Sequence, residues 1–248
     1  MNNGADRWGE IVGKIHVVNT VDQARELLRS LVDARAPRIL GFVNAHALNS
    51  CADNEAFFKA LAGADILLRD GSGMALLYRK LRLDPGLNMN GTDVIPKILE
   101  EFRGRSVALW GTTEPFLSRA RVRCESEFGV RAISSENGFE ATDRYLEVSK
   151  RANPDLIVLG MGMPRQEELA QQLRSAVTNS PLIICGGAIL DFLGGKVGRA
   201  PLWMQNMGME WLYRLYREPK RLFRRYVLGN PMFVLRLIGW QRRKLFKS

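Results

Sequence analysis

Two histidines and three cysteines in 248 residues leave little for metal or disulfide chemistry. His16 and His46 form no cluster of ligand spacing, no Asp-x-Asp pair occurs, and no metal is expected. Cys51, Cys124 and Cys185 are odd in number, far apart and set in apolar sequence, which fits reduced core residues. No run approaches the roughly 18 apolar residues of a membrane-spanning helix. The opening stretch MNNGADRWGEIVGK lacks the charged-then-apolar pattern of a secretory signal, so a cytoplasmic location is expected. There is no GxxxxGK[ST] phosphate loop, and Gly160 and Gly162 are followed by Pro164 and Arg165 rather than by the rest of a GxGxxG fingerprint. Nucleotide hydrolysis and dinucleotide oxidoreduction are disfavoured, and no cofactor is implied.

What is present is enough apolar sequence, 46% of residues, to bury one large core or two small ones. KIHVV, RILGFVNA, DILLRD, RSVALWGTT, VRAIS, DLIVLGMG and LIICGGA read as seven short strands. Helical patterns alternate with them, the first opened by a capping-box pair at Thr20 and Gln23. Such alternation predicts a mostly parallel sheet with helices on both faces, in two βαβ-type halves meeting near residues 85–105.

In open α/β sheets ligands bind beyond the carboxyl ends of the strands, where helix N-termini offer free N–H groups. The polar and glycine clusters fall there: NAHALNS at Asn44, RDGSG at Asp70, WGTTEP at Gly111, GMGMPRQE at Gly160 and CGGAILD at Gly186. Five such ends argue for a phosphate-bearing ligand, although glycine at each is also what a tight turn requires. Without a metal cluster, arginines and backbone amides would carry the phosphate charge. Asp70, at the tip of an apolar strand, reads equally as a reactive carboxylate or a helix cap. His46 is the less favoured base, and Asp93 reads as a cap for a helix beginning near Val94 or as a substrate ligand.

The net charge of +10 is unevenly spread. Residues 203–248 carry eleven Lys and Arg against Glu210 and Glu218, leaving residues 1–202 nearly neutral. The division expected is therefore an α/β domain over 1–202 and a basic amphipathic C-terminal helical appendage over 203–248. In the appendage Met207, Trp211, Leu215 and Leu222 are expected along one helix side, with Arg214, Arg217, Arg221, Arg224 and Arg225 three or four residues apart. Pro219 is expected to start a new segment, and Met232 to Trp240 forms an apolar run interrupted by Arg236. This composition suits a helix lying against an anionic membrane surface. The alternative is a solvated basic face packed on the core or on a second copy of the chain in a homo-oligomer. Nucleic-acid binding is disfavoured, since no recognised motif accompanies the charge.

Several blocks together carry a resemblance: the Asn of FVNA, DGSG, NGTD, GMGMPRQE, GGAILDFLGGKVGRAP and GMEWLYRLYREPKRLFRRY. Over about residues 10–230 the chain resembles the WecG/TagA/CpsF glycosyltransferases. These bacterial enzymes transfer a sugar from a nucleotide donor to a polyprenyl-diphosphate-linked sugar in envelope or exopolysaccharide assembly. The resemblance implies a Rossmann-like fold, a UDP-sugar donor, a lipid-linked acceptor and peripheral association with the inner face of the cell membrane. It makes Asp70 the catalytic base and Arg214, Arg221 and Arg224 the diphosphate ligands, with Asn44, Gln166 and Asp191 lining the donor site. The full expected substrate-binding set adds Asn90, Asp93, Gly111, Phe139, Gly162 and Arg199. Phe42 stands where many members have Thr, and Asn88 where many have Arg, which leaves a hexose other than N-acetylmannosamine open as donor. The rival class is a non-catalytic nucleotide-sugar-binding or membrane-scaffold protein on the same fold.

Overall fold

The computed structural model describes residues 3–33 and 35–245; residues 246–248 of the basic tail, like residues 1 and 2, lie outside the described residues. Among the described residues seven strands form one sheet: β1 (Ile15–His16), β2 (Arg38–Val43), β3 (Ile66–Arg69), β4 (Ser106–Gly111), β5 (Arg131–Glu136), β6 (Leu156–Gly160) and β7 (Leu182–Cys185). Their order is β1-β3-β2-β7-β6-β4-β5, and every neighbouring pair is parallel. All seven expected strands are present, the first trimmed to two residues.

Connecting them are α1 (Asn3–Lys14), α2 (Val21–Ser30), α3 (Ala45–Asp53), α4 (Glu55–Ala62), α5 (Ser72–Lys80), α6 (Gly91–Glu101), α7 (Phe116–Arg123), α8 (Thr142–Ala152), α9 (Arg165–Ala176) and α10 (Ile189–Leu193). The expected capping box opens α2, with the Gln23 N–H donating to Thr20 Oγ1 at 3.2 Å and the Thr20 N–H to Gln23 Oε1 at 3.3 Å. Strand residues alternate between the two helical layers. Leu40, Phe42, Leu68, Leu109, Val158 and Ile184 join one cluster with α2, α6 and α7, whereas Val43 and Leu67 meet α1, α3 and α4 on the other face. A third cluster on that second face sets Trp110, Leu159 and Ile183 against α8 and α9. Burial on both faces explains why these strands read as near-continuous Val, Ile and Leu.

The C-terminal segment is α11 (Leu202–Asn206), α12 (Glu210–Arg217), α13 (Pro219–Phe223), a π-helical turn at Arg224–Leu228, and α14 (Gly229–Leu245). Pro219 begins α13 as expected, its missing N–H costing nothing at a first helical position. Met207 and Trp211 do not share a helix, because the chain breaks between Asn206 and Glu210; Met207 is exposed there. The apolar run of α14 is divided. Phe233, Leu237 and Trp240, at helical spacing, are buried in the cluster that holds Trp8 and Ile11 of α1. Trp8 stacks on Phe233 at a centroid distance of 5.4 Å and meets Trp240 edge-on at 6.1 Å. Arg236, which interrupts the run, faces the end of α3, donating to Asn49 O at 2.9 Å and Asp53 Oδ1 at 2.7 Å. The opposite side of α14, with Met232, Leu235 and Ile238, is exposed.

Candidate active site

β3, β2, β7 and β6 are adjacent in the sheet, so the segments leaving their carboxyl ends converge. They line a cavity of about 530 Å³ with Asn44 to His46, Asp70 to Gly73, Gly160 to Met163 and Cys185 to Ile189; Asn88 and Asn90 to Thr92 close one side. The C-terminal segment roofs it with Glu210, Trp211, Arg214, Arg221, Arg225, Tyr226, Phe233 and Val234.

Asp70 follows the last residue of β3, and its N–H donates to Val43 O at 2.9 Å. Gly71 then takes φ +86°, a left-handed conformation that glycine reaches without steric cost, and turns the chain into α5. Its N–H donates to Asn88 Oδ1 at 2.8 Å. Asp70 therefore does not cap α5; it lines the cavity, and its carboxylate's one hydrogen bond among the described residues comes from Asn44 Nδ2 at 3.1 Å. Asn44 also caps α3, its Oδ1 accepting from the Ala47 N–H at 3.0 Å, so one side chain orients the carboxylate and closes a helix.

The other two carboxylates that line the cavity, Asp191 and Glu210, are each paired with a cation. Asp191 accepts from Thr112 Oγ1 at 2.5 Å and pairs with Lys196 at 3.1 Å. Glu210 pairs with Arg199 at 3.7 Å, and Arg199 also binds Asp93. Burial opposes ionisation of Asp93, yet hydrogen bonds from Arg199 and Asn90 hold it below the usual carboxylate range. Against these stand guanidiniums short of partners. The Arg225 guanidinium lies 5.3 Å from the Tyr226 ring centroid and has no hydrogen bond or ion pair among the described residues, and the buried Nε atoms of Arg225 and Arg214 are without a hydrogen-bond partner there. Burial lowers the Arg225 pKa, Tyr226 and Asp70 oppose that shift, and repulsion from Arg214 and Arg221 adds to it. Arg225 is half-buried, and the carboxylate that it senses is Asp70. His46 is pushed down to about 4 by burial and the Arg225 charge, so it lines the cavity as a neutral imidazole.

Of the residues singled out in the sequence, Asp70, Asn44, Asn90, Gly162, Gln166, Asp191, Arg214 and Arg221 share this cavity. Five others are placed off its wall. Gly111 ends β4, one strand beyond β6, and a Cβ there would meet Gly160 O at 2.5 Å; strand packing demands the glycine. Phe139 follows β5, the edge strand two places from β6, and is exposed. Asp93 and Arg199 lie one shell out, in the ion pairs above. Arg224 is exposed and Arg225 lines the cavity in its place. The reason is local: the π-helical turn bonds i to i+5, which keeps residue i+4 from Arg221 on the cavity side and swings i+3 away. Gln166 is completely buried, its Oε1 accepting from the Gly162 N–H at 3.1 Å and the Gly187 N–H at 2.9 Å. Phe42 and Asn88, the two departures from the family pattern, both line the cavity.

Fold and cavity define a Rossmann-like α/β protein whose cavity is lined by Asp70, in no ion pair among the described residues, and by Arg214, Arg221 and Arg225. The sequence matches the Glycosyl transferase WecG/TagA/CpsF family over residues 11–247, and the chain belongs to that family. It is a glycosyltransferase. It is similar to the N-acetylglucosaminyldiphosphoundecaprenol N-acetyl-beta-D-mannosaminyltransferase of Bacillus subtilis (strain 168), with 25% identity over 222 residues, covering 88% of this chain and 86% of the relative.

Proposed function

We propose that this enzyme transfers a hexose or N-acetylhexosamine from a UDP-sugar to a polyprenyl-diphosphate-linked sugar, by an inverting displacement that needs no metal. The observation that carries the reading is that Asp70, held by Asn44, shares one cavity with Arg214, Arg221 and Arg225 of its roof. Transfer requires a base to take the acceptor hydroxyl's proton as the new bond to the anomeric carbon forms. It also requires cations to hold the departing diphosphate. Asp70 supplies the first and the arginines the second. The guanidiniums of Arg214, Arg221 and Arg225 line the cavity and are available to a leaving group. Inversion at an α-linked nucleotide sugar gives a β-linked product, the configuration in the Bacillus subtilis relative's name.

The acceptor assignment draws on that relative and on the roof of the cavity. Thirteen of the nineteen exposed large hydrophobic residues among those described lie between Leu202 and Ile238, interleaved with arginines. No helix among the described residues is long and apolar enough to cross a membrane. An apolar, basic surface beside the cleft suits peripheral docking on the inner, anionic leaflet, where the lipid-linked acceptor would be met.

The test is UDP release from a panel of UDP-sugars, with and without a lipid-diphosphate-linked sugar. Release that depends on both substrates and persists in EDTA is expected. UDP-sugar binding without turnover on any acceptor would instead favour a non-catalytic nucleotide-sugar-binding protein.

A further inference from the structure

We propose that Glu167 is a positioning residue: its carboxyl group sets the orientation of the Gln166 amide, which ties the loops after β6 and β7 into one cavity floor able to receive a diphosphate. The diphosphate rests on the proposed function; the coupling of the two loops does not.

Gln166 accepts from two backbone N–H groups in loops 25 residues apart, Gly162 and Gly187. That use of Oε1 leaves Nε2 as the donor, and it donates to Glu167 Oε1 at 2.7 Å. Turned over, the amide would aim its NH2 at two N–H donors and lose both of those bonds, and it would keep a bond to Glu167 only by drawing on the carboxyl's own O–H. Glu167, by accepting from Nε2, holds the amide in the orientation that joins the loops. Gly162 and Gly187 both line the cavity, so the join is part of its floor.

The surroundings of Glu167 decide its charge. It is 2% exposed, and Oε2 has no partner among the described residues. The titratable groups that sense it are the thiols of Cys51 on α3 and Cys185 on β7, with Glu168 beside it on α9; among the described residues no cation faces it. Burial pushes its carboxyl up to about 8, against hydrogen bonds from Gln166 and its own backbone N–H. The neutral acid is therefore the form the fold favours. Stability from it is complete below the ordinary value of 4.5 and is lost as pH rises through about 8. An ionised Glu167 would be a buried charge without a counter-ion, and its hydration would open the floor.

The experiment uses the full chain with Glu167→Gln and Glu167→Leu. Glutamine keeps a carbonyl acceptor and cannot ionise; leucine removes the acceptor. NMR protection factors of the Gly162 and Gly187 amides are read from pH 7 to 9, with UDP affinity at pH 7 by calorimetry. The parent should lose protection at both amides, about tenfold or more, across this range. Glu167→Gln should hold its protection flat, and Glu167→Leu should lack it already at pH 7 and bind UDP about tenfold more weakly. The same alkaline loss in Glu167→Gln overturns the proposal, as does parental protection in Glu167→Leu. Should Glu167→Leu not fold, the comparison of parent with Glu167→Gln decides. Failure of the parent to bind UDP counts against the proposed function alone, since amide protection judges Glu167 without ligand.

Discussion

At the scale of single residues, the distinction between Asp70 and its neighbours is one of partners. Asp191, Glu210 and Asp93 each have a lysine or arginine, whereas Asp70 has a single amide donor and the open cavity. Asp70→Asn keeps the size and a hydrogen-bonding group, so it should melt as the parent does while turnover falls by about 10² to 10⁴. Near-parental turnover in a purified sample would remove Asp70 from the base role. His46 makes a different kind of statement, about stability. Its folded pKa is depressed from 6.5 to about 4, so the unfolded chain binds the proton more readily in that window. Stability is then complete above 6.5 and declines as pH falls towards 4. His46→Gln should flatten the difference between urea midpoints at pH 7 and pH 5, and an unchanged slope would show that another group sets it.

At the scale of elements, two features decide what the arginines do. The π-helical turn at Arg224–Leu228 puts Arg225 in the cavity and Arg224 outside it. Arg225→Ala should weaken UDP affinity by about tenfold to a hundredfold, the range for hydrogen bonds to charged groups, and Arg224→Ala should leave it close to parental. Calorimetry on the two variants separates them, and the reverse ranking would restore the assignment made from sequence. The second feature is α14. Its buried Phe233, Leu237 and Trp240 each contribute about 1.5–3 kcal/mol of apolar burial, and Arg236 binds the end of α3. Deleting residues 203–248 would therefore strip part of a core cluster along with the basic surface, and loss of activity in such a truncation would not isolate the arginines.

Across the whole molecule, charge and exposed apolar area are concentrated on the segment that roofs the cleft. At about 1 kcal/mol per basic residue near an anionic surface, several arginines acting with exposed aromatic and aliphatic side chains suffice for reversible docking. Tyr216 and Leu235 are among the most exposed of these and line no part of the cavity. Replacing both with Glu should abolish sedimentation with anionic vesicles and leave UDP binding intact. Parental vesicle binding in that variant, or binding insensitive to salt, would argue against this surface.

What could be read along the chain and what could not divide on the range of the forces involved. The seven strands, the capping box and the Asp70 turn are written in local patterns, because backbone geometry and two-sided burial act over a few residues. The clustering of functional residues at strand ends was legible for the same reason. Strand order was not, and it alone separates Gly162 and Asn44, which meet in one cavity, from Gly111 and Phe139, which follow strands farther along the sheet. Arg224 and Arg225 stand three and four residues after Arg221, spacings that an α-helix places on one face alike, and only the π-helical turn decides between them. Arg236 read as a break in an apolar run, and only the packing of α14 on α3 shows it to be a contact. The chemistry available was set by which side chains the chain contains; which of them share a solvent-screened space was settled by tertiary packing, since burial and Coulomb interactions depend on distance in space and not along the backbone.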